Sequence, residues 1–551
     1  MFKLDLLKKK KELPAILLII LISSIFSLPL LSPGFIQGHD SFVLLANAAA
    51  LIESLRDGQF PPRWAGDLNF GYGSPIFIIY YPLGGYLISI MHFLGLGLER
   101  SYEIILTFSF IFAPVFFYLF AKQLFEKNIA FVSSIFYAMS PYLFLDIYVR
   151  THIGESLALA LIPLVLFYLE KNFKRFSLTN VILGGVVYAL LILSHGIIGL
   201  IFSAVFILYI FLKSPLNIKN LSLNFSPLIL GLILSAYFWF PSFIESRHIN
   251  SLLFLGNFYK GHFISLQNTI YSSWGFGSNI NEPGGISPQI GPIHFSVALL
   301  SLLLVIKKIN RKIILFWFTL FLLSIFFSTS LSNVFWEKFH TLQRIQFPWR
   351  FMSLAAFGSA ILSGYVVSYF RTKKLQIFII ILLLALSIPM ARIGRSESFS
   401  ENLYFNYYGS GAFHNEATTV WVAGDFYKFP KKRIEIIGGN GEIKNLNKKS
   451  NIHTFEANGK SSLQILDNTT YFPGWRVEVD GAKVPIQFQD PNHRGLITFD
   501  VPKGRHIVKV AFGESPIRLL SDIISLLGFF LLIAIILFKE WLGKFLKIKV
   551  Y

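Results

Sequence analysis

Leu13-Pro-Ala-Ile-Leu-Leu-Ile-Ile-Leu-Ile-Ser-Ser-Ile-Phe-Ser-Leu-Pro-Leu-Leu31 carries no charge and follows the basic run Lys8 to Lys11. A stretch of this length crosses a hydrocarbon core of roughly 30 Å as a helix, the form in which backbone groups satisfy one another where there is no water. Its basic flank and apolar middle have the outline of a signal peptide. No small-residue cleavage site follows, so the expectation is an uncleaved signal anchor. Comparable apolar runs recur along the chain, which is 54% hydrophobic and only 14% charged, with 59 Phe in 551 residues. That balance suits bilayer as solvent. The net charge of +19 is carried by short Lys/Arg clusters at the ends of apolar runs. They form no groove-sized basic face, so the charge is an orientation signal and nucleic acid is not an expected partner. With no Cys in the chain, disulfides, thiolate metal sites and Cys nucleophiles are excluded.

About thirteen apolar runs would place the basic N-terminus and the basic tail (Lys539, Lys544, Lys547, Lys549) on opposite sides. Pro75 to Gly95 resolves the conflict: Pro82 and Gly84-Gly85 break it, and Gly71, Gly73 and Gly95 flank it. It is expected to be re-entrant or to lie at the interface, covered by protein or by a wet cavity. About twelve spans then remain, near residues 14–32, 103–122, 129–148, 156–170, 178–194, 197–212, 226–245, 291–306, 313–331, 351–370, 375–393 and 516–538. In that register the basic loops Lys122/Lys127, Lys171/Lys174/Arg175, Lys213/Lys219, Lys307/Lys308/Arg311/Lys312 and Arg371/Lys373/Lys374 all fall inside. The expected protein is a polytopic α-helical inner (cytoplasmic) membrane protein with both termini cytoplasmic.

Four segments collect outside: 33–102, 246–290, 332–350 and 394–515. Only the last alternates with period two, in Arg433-Ile-Glu-Ile-Ile437, Trp475-Arg-Val-Glu-Val479, Leu496-Ile-Thr-Phe499 and His506-Ile-Val-Lys-Val-Ala-Phe512, with turn signals at Asp480-Gly481 and Lys503-Gly504. The expected organisation is a transmembrane helical domain over 1–393, an extracytoplasmic β-sandwich over 394–515, and a last span with a basic tail over 516–551.

Polar residues stand out where bilayer makes them costly. Gly38-His39-Asp40-Ser41 precedes an apolar-patterned stretch from Phe42 to Leu55. Asp40 either N-caps that helix or, beside an imidazole at a membrane surface, serves as a general base. Arg63 and Asp67 in the stretch that follows join the candidate binding residues. Asp146-Ile-Tyr-Val-Arg150-Thr-His152-Ile-Gly-Glu155 places four ionisable groups between apolar runs. Arg150 either pairs with Asp146 at i, i+4 or binds an anion. His195 is either a hydrogen-bonded turn histidine or a site residue. Arg344 and Arg350, in Gln343-Arg-Ile-Gln-Phe-Pro-Trp-Arg350, are basic on the outer side, where they suit phosphate oxygens or interface anchoring. No phosphate-cradling Gly loop, HExxH or Ser/His/Asp spacing is present.

Gly38-His-Asp40, Gly58-Gln-Phe-Pro-Pro-Arg-Trp64, Tyr81-Pro-Leu83, Arg150 with Gly154-Glu155, Leu193-Ser-His195 and Phe347-Pro-Trp-Arg-Phe351 resemble the prokaryotic 6-pyruvoyl-tetrahydropterin-synthase-related membrane proteins and the YfhO-like family. Pro473-Gly-Trp-Arg-Val-Glu-Val-Asp-Gly481 and Val501-Pro-Lys-Gly504 look like the outer domain of YfhO-like proteins. Both families look like remote GT-C glycosyltransferases. The resemblance implies a first outer loop carrying an acidic residue above a cavity for a polyprenyl-phosphate-linked sugar. It also implies a cell-envelope glycopolymer or glycolipid as acceptor, and favours Asp40 as base over Asp40 as cap. His39 or His152 would orient a partner, and Arg150, Arg344 and Arg350 would meet the anion. Several GT-C members carry a paired acid where this chain has Asp40 alone, so a divalent metal is not indicated. The alternative function is a non-catalytic lipid-linked-sugar translocator or an envelope-assembly scaffold.

Overall fold

Among the described residues, eight helices of the computed structural model are long and apolar enough to cross a membrane: Glu12–Leu31, Leu98–Leu124, Ile153–Lys174, Gly196–Lys213, Arg311–Ser328, Pro348–Phe370, Lys373–Met390 and Pro516–Phe538. Two bent pairs, Lys127–Ala138 with Pro141–Arg150 and Ile218–Leu234 with Ala236–His248, turn by 45° and 71° and raise the number to ten if each is one span. The protein is thus a multi-pass membrane protein. Two further expected spans are shorter helices, Leu178–Ser194 and Pro292–Ile306. The structure describes residues 2–250, 256–409, 411–412 and 417–545; Lys547 and Lys549 of the expected cytoplasmic tail lie outside them.

Within Pro75 to Gly95 the longest helix is Leu83–Phe93, 11 residues, or roughly 16 Å at 1.5 Å per residue. It packs against the helix Ser41–Arg56 of the same loop and against Leu98–Leu124.

Among the described residues, eight antiparallel strands form two sheets. β1 (Ile434–Gly438), β4 (Leu463–Thr470) and β7 (Leu496–Val501) make one; β2 (Gly441–Lys448), β3 (Ile452–Gly459), β8 (Gly504–Phe512), β5 (Trp475–Val479) and β6 (Ala482–Val484) make the other, in those orders. The alternation seen in the sequence turns Trp475, Val477 and Val479 inward against Val508, Val510 and Phe512. Trp64 and Ile78 of the first loop complete this core. Trp64 lies 5.1 Å from the Phe512 ring. Gly73, at φ +82°, is the residue that admits it, since a Cβ there would stand 2.6 Å from the indole.

Two buried arginines also join the halves. Arg63 reaches Asp522 at 2.5 Å and Glu514 at 3.3 Å, and donates to the Tyr237 carbonyl at 2.9 Å. Arg518, fully buried in the last helix, meets Glu245 at 3.3 Å and donates to the Pro473 carbonyl. Isolated charges so placed would be costly; shared among elements, they fix the seating of the sheet domain on the helices.

Candidate functional site

The first loop comes to the bundle beside the wide turn Leu145–Arg150. His39 and Asp40 donate their backbone N–H groups to the Val149 and Arg150 carbonyls at 3.1 and 3.0 Å. Gly38 permits this approach, because a Cβ would run into the Thr151 side chain at 2.2 Å. Asp40 stands just ahead of the helix Ser41–Arg56, yet its side chain makes no capping hydrogen bond. The carboxylate turns to Arg150, at 3.1 Å.

Arg150 is the hub of the site. Its guanidinium also holds Asp146 at 3.0 Å and Glu155 at 2.5 Å, and lies over the Trp349 ring at 4.8 Å. The i, i+4 pair read from the sequence is therefore one arm of a larger network. Glu155 receives the Tyr142 hydroxyl at 2.5 Å and has Arg350 3.7 Å away. Asp146 accepts from Ser156 at 2.9 Å. Asp40 is the outermost of the three carboxylates: its side chain is 34% exposed, against 1% for Asp146 and none for Glu155.

His152 and His195 are helix caps. The Nδ1 of His152 accepts from the Glu155 N–H at 3.0 Å, and that of His195 from the Ile198 N–H at 3.1 Å. A ring that accepts at Nδ1 carries its proton on Nε2. His152 therefore donates to the Tyr80 hydroxyl at 3.2 Å and His195 to that of Tyr81 at 3.1 Å. Each tyrosine oxygen is occupied as an acceptor, leaving its own proton to be donated elsewhere.

A cavity of about 570 Å³ opens in front of this network. His39, Asp40, Tyr80, Tyr81, Arg150, His152, Arg344 and Arg350 line it with apolar side chains such as Leu200, Phe243 and Trp349. Arg350 donates to the Ile345 carbonyl at 2.7 Å and to Gln346 at 3.3 Å, while its buried Nε has no hydrogen-bond partner among the described residues. Arg344 lies over the Phe243 ring at 5.4 Å. His39 bonds the Phe276 carbonyl at 2.8 Å.

Of the residues singled out in the sequence, His39, Asp40, Arg150, His152, Arg344 and Arg350 share this cavity. Glu155 and His195 are fully buried behind its wall, where they hold Arg150 and Tyr81. Arg63 and Asp67 do not join them. Arg63 lines a smaller adjoining cavity and is committed to the last helix, while Asp67 receives Lys448 of β2 at 2.6 Å. Tyr80 and Tyr142 went unread in the sequence, while Tyr81 and Trp349 stood in quoted motifs without a role at the site. The run of aromatics beside Pro82 and the Trp349-Arg350 pair were the available signals.

His152, Glu155 and His195 bring possible ligand atoms within 4.8 Å of one another. These donors do not fit a metal. Both imidazoles spend Nδ1 on helix caps and hold the proton on Nε2, and both Glu155 oxygens are taken, one by Tyr142 and one by Arg150.

No family model matches the chain. An uncharacterised protein of Lactococcus lactis subsp. cremoris (strain MG1363) is 24% identical over 244 residues, 42% of this chain and 40% of the relative. Among solved structures, the Archaeoglobus fulgidus oligosaccharyltransferase tethered to an acceptor peptide aligns at 15% identity and a TM-score of 0.44, over 73% of this chain and 56% of its own. AglB from the same archaeon, in complex with an inhibitory peptide and a dolichol-phosphate, aligns at 16% identity and 0.42 over the same shares. The mycobacterial arabinofuranosyltransferase AftD aligns at 14% identity and 0.41, over 70% of this chain and 26% of its own. The chain thus spans under half of the bacterial relative and just over half of the archaeal enzyme. None of these similarities carries the YfhO-like or pterin-synthase-related label. TM-scores of this size do not establish a common fold, so the site stands on its own geometry.

Proposed function

We propose that the protein transfers a sugar from a polyprenyl-phosphate donor to a cell-envelope acceptor on the outer face of the cytoplasmic membrane, with about twelve spans and both termini inside. One observation carries the reading: Asp40 shares a cavity with Arg344 and Arg350, so a carboxylate base and guanidinium anion receptors face the same space. Such a reaction needs both. The acceptor oxygen forms its bond to the anomeric carbon as the bond from that carbon to the phosphate oxygen breaks. The acceptor proton passes to Asp40, and the electron pair stays on the leaving phosphate.

Arg150 is a positioning residue. It holds one Asp40 oxygen at 3.1 Å, and the other accepts no hydrogen bond among the described residues. Arg344, Arg350 and the outward protons of Tyr80 and Tyr81 supply donors to the leaving phosphate. The apolar wall around Leu200, Phe238 and Phe243 suits a prenyl chain.

The test is Asp40→Asn, which keeps the shape but cannot take a proton. Incorporation of sugar into extracted envelope polymer is expected to fall roughly 100- to 10,000-fold, with membrane abundance and donor binding near wild type. Normal incorporation by a normally abundant Asp40→Asn protein would refute the catalytic assignment and leave the translocator or scaffold reading in its place.

A further inference from the structure

Outside the cavity, aromatic rings gather where the first loop meets the sheet domain. The Phe70 ring lies 5.1 Å from Tyr408 and 5.7 Å from Phe429, and Tyr72 stacks on Phe426 at 3.9 Å. Between Phe70 and Tyr72 the backbone turns at Gly71, at φ +78°. The rings are open: Tyr427 is 80% exposed, Tyr408 56% and Phe429 55%. Exposed apolar rings gathered in one place are a feature of binding surfaces.

Two further features specify the occupant. In Asp425-Phe-Tyr-Lys428-Phe-Pro-Lys431-Lys432-Arg433 the rings alternate with cations, and Lys428, Lys431 and Lys432 are exposed. Among the described residues no acid pairs with any of these three lysines. The patch is also tied to the sheet domain and not to the apolar bundle, because the Tyr72 carbonyl accepts from the Thr470 N–H of β4 at 2.8 Å. Flat rings interleaved with exposed ammonium groups suit a chain of pyranose rings that bear negative charge: the C–H faces pack on the aromatics and the acids meet the lysines.

The patch also leads to the cavity. Asn69 and Phe70 donate backbone N–H groups to the Gly409 and Tyr408 carbonyls at 2.6 and 2.7 Å. On the same segment Gly411 and Ala412 line the cavity that holds Asp40. We infer that the Phe70/Tyr408/Tyr427/Phe429 surface with Lys428, Lys431 and Lys432 docks an anionic glycan and hands its end to the cavity as acceptor. The word acceptor rests on the function proposed above; the docking does not.

The experiment uses the full chain in lipid nanodiscs and measures binding of a short oligogalacturonate and of a neutral maltooligosaccharide of equal length. The acidic oligomer should bind more tightly, and its advantage should shrink as salt rises. Tyr427→Ala with Phe429→Ala should weaken both ligands roughly tenfold. Lys428→Gln, Lys431→Gln and Lys432→Gln together should weaken only the acidic one, by about the same factor. All five positions are exposed, so these variants should fold. Capture of neither oligomer by the wild type, equal affinity for the two, or binding left unchanged by both variant sets would each overturn the inference. Asp40→Asn should bind the oligogalacturonate like wild type. Binding intact with transfer unaffected by Asp40→Asn would remove the proposed function alone, and transfer lost in Asp40→Asn without any glycan binding would remove the docking site alone.

Discussion

The indole of Trp64 meets that of Trp475 edge to face, with ring centroids 5.3 Å apart. One ring belongs to the first loop after Glu12–Leu31 and the other to β5, so a loop that walls the cavities is also core material of the sheet domain.

Trp64→Ala should therefore act at a distance. Truncating a buried Trp costs roughly 3–5 kcal/mol, and the loss falls on the seam between the two halves. Limited proteolysis of the full-length protein should show faster cleavage in 394–515, with the helical bundle retained. Unchanged cleavage would mean that the polar contacts of Arg63, Arg518, Asp67 and Tyr72 hold the seam without the indole.

Arg150 and Arg344 should separate by phenotype. Arg150→Met leaves Asp40, Asp146 and Glu155 facing one another without their shared cation, a loss of roughly 3–5 kcal/mol. Membrane abundance and the melting temperature in detergent should drop sharply. Arg344, at the cavity surface, forms no ion pair among the described residues. Arg344→Lys should leave both measures near wild type and weaken polyprenyl-phosphate binding, because lysine keeps the charge but loses the fork. Equal stability of the two variants would contradict the hub role of Arg150.

The sheet domain should have an acid limit set by Asp467. Burial alone would raise this acid, but His453 at 2.6 Å, together with Arg433 and the Thr469 hydroxyl, outweighs burial and holds it below the ordinary range of an aspartic acid. An acid depressed by folding adds stability above its unfolded pKa and loses it as pH falls through the folded value. Hydrogen-exchange protection of β3 and β4 should thus decline below about pH 4. In Asp467→Asn it should start lower at neutral pH and change less with acid. A wild-type profile flat to pH 2 would count against the pair.

Orientation is open to impermeant thiol labelling, since the chain has no Cys of its own. Asp480→Cys and Leu96→Cys should label on intact cells and Lys308→Cys should not. All three positions are exposed. Labelling at 308 would invert the bundle, and protection at 96 would make Pro75 to Gly95 a crossing segment.

The apolar helices and the strands β1, β5, β7 and β8 were legible because they rest on local periodicity, uncharged runs for helices and period two for those strands, whereas β2, β3, β4 and β6 were not read. The site was legible only in part. Arg150 with Glu155 declared itself as charge where bilayer makes charge costly, and Asp40 as an acid at the first loop. Their convergence spans 110 residues of chain, and nothing local encodes it. The commitment of Arg63 to residues 451 and 459 positions away was hidden for the same reason. Arg518 carried a usable signal, an arginine inside the first turns of an apolar run, which needs a buried partner. The exposed aromatics between Phe70 and Phe429 were silent, because a Phe-rich chain offers no contrast against which a few solvent-facing rings stand out.

The clamp of Arg63 on Glu514 and Asp522 bears on how the protein is made. A ribosome delivers the first loop long before the last helix, and throughout that interval Arg63 has neither carboxylate to receive it. The loop that walls the cavities cannot take its final form until the helix Pro516–Phe538 has been inserted, so chains cut before Glu514 should present an unfinished cavity to the membrane, and insertion of that helix becomes the step that assembles the site.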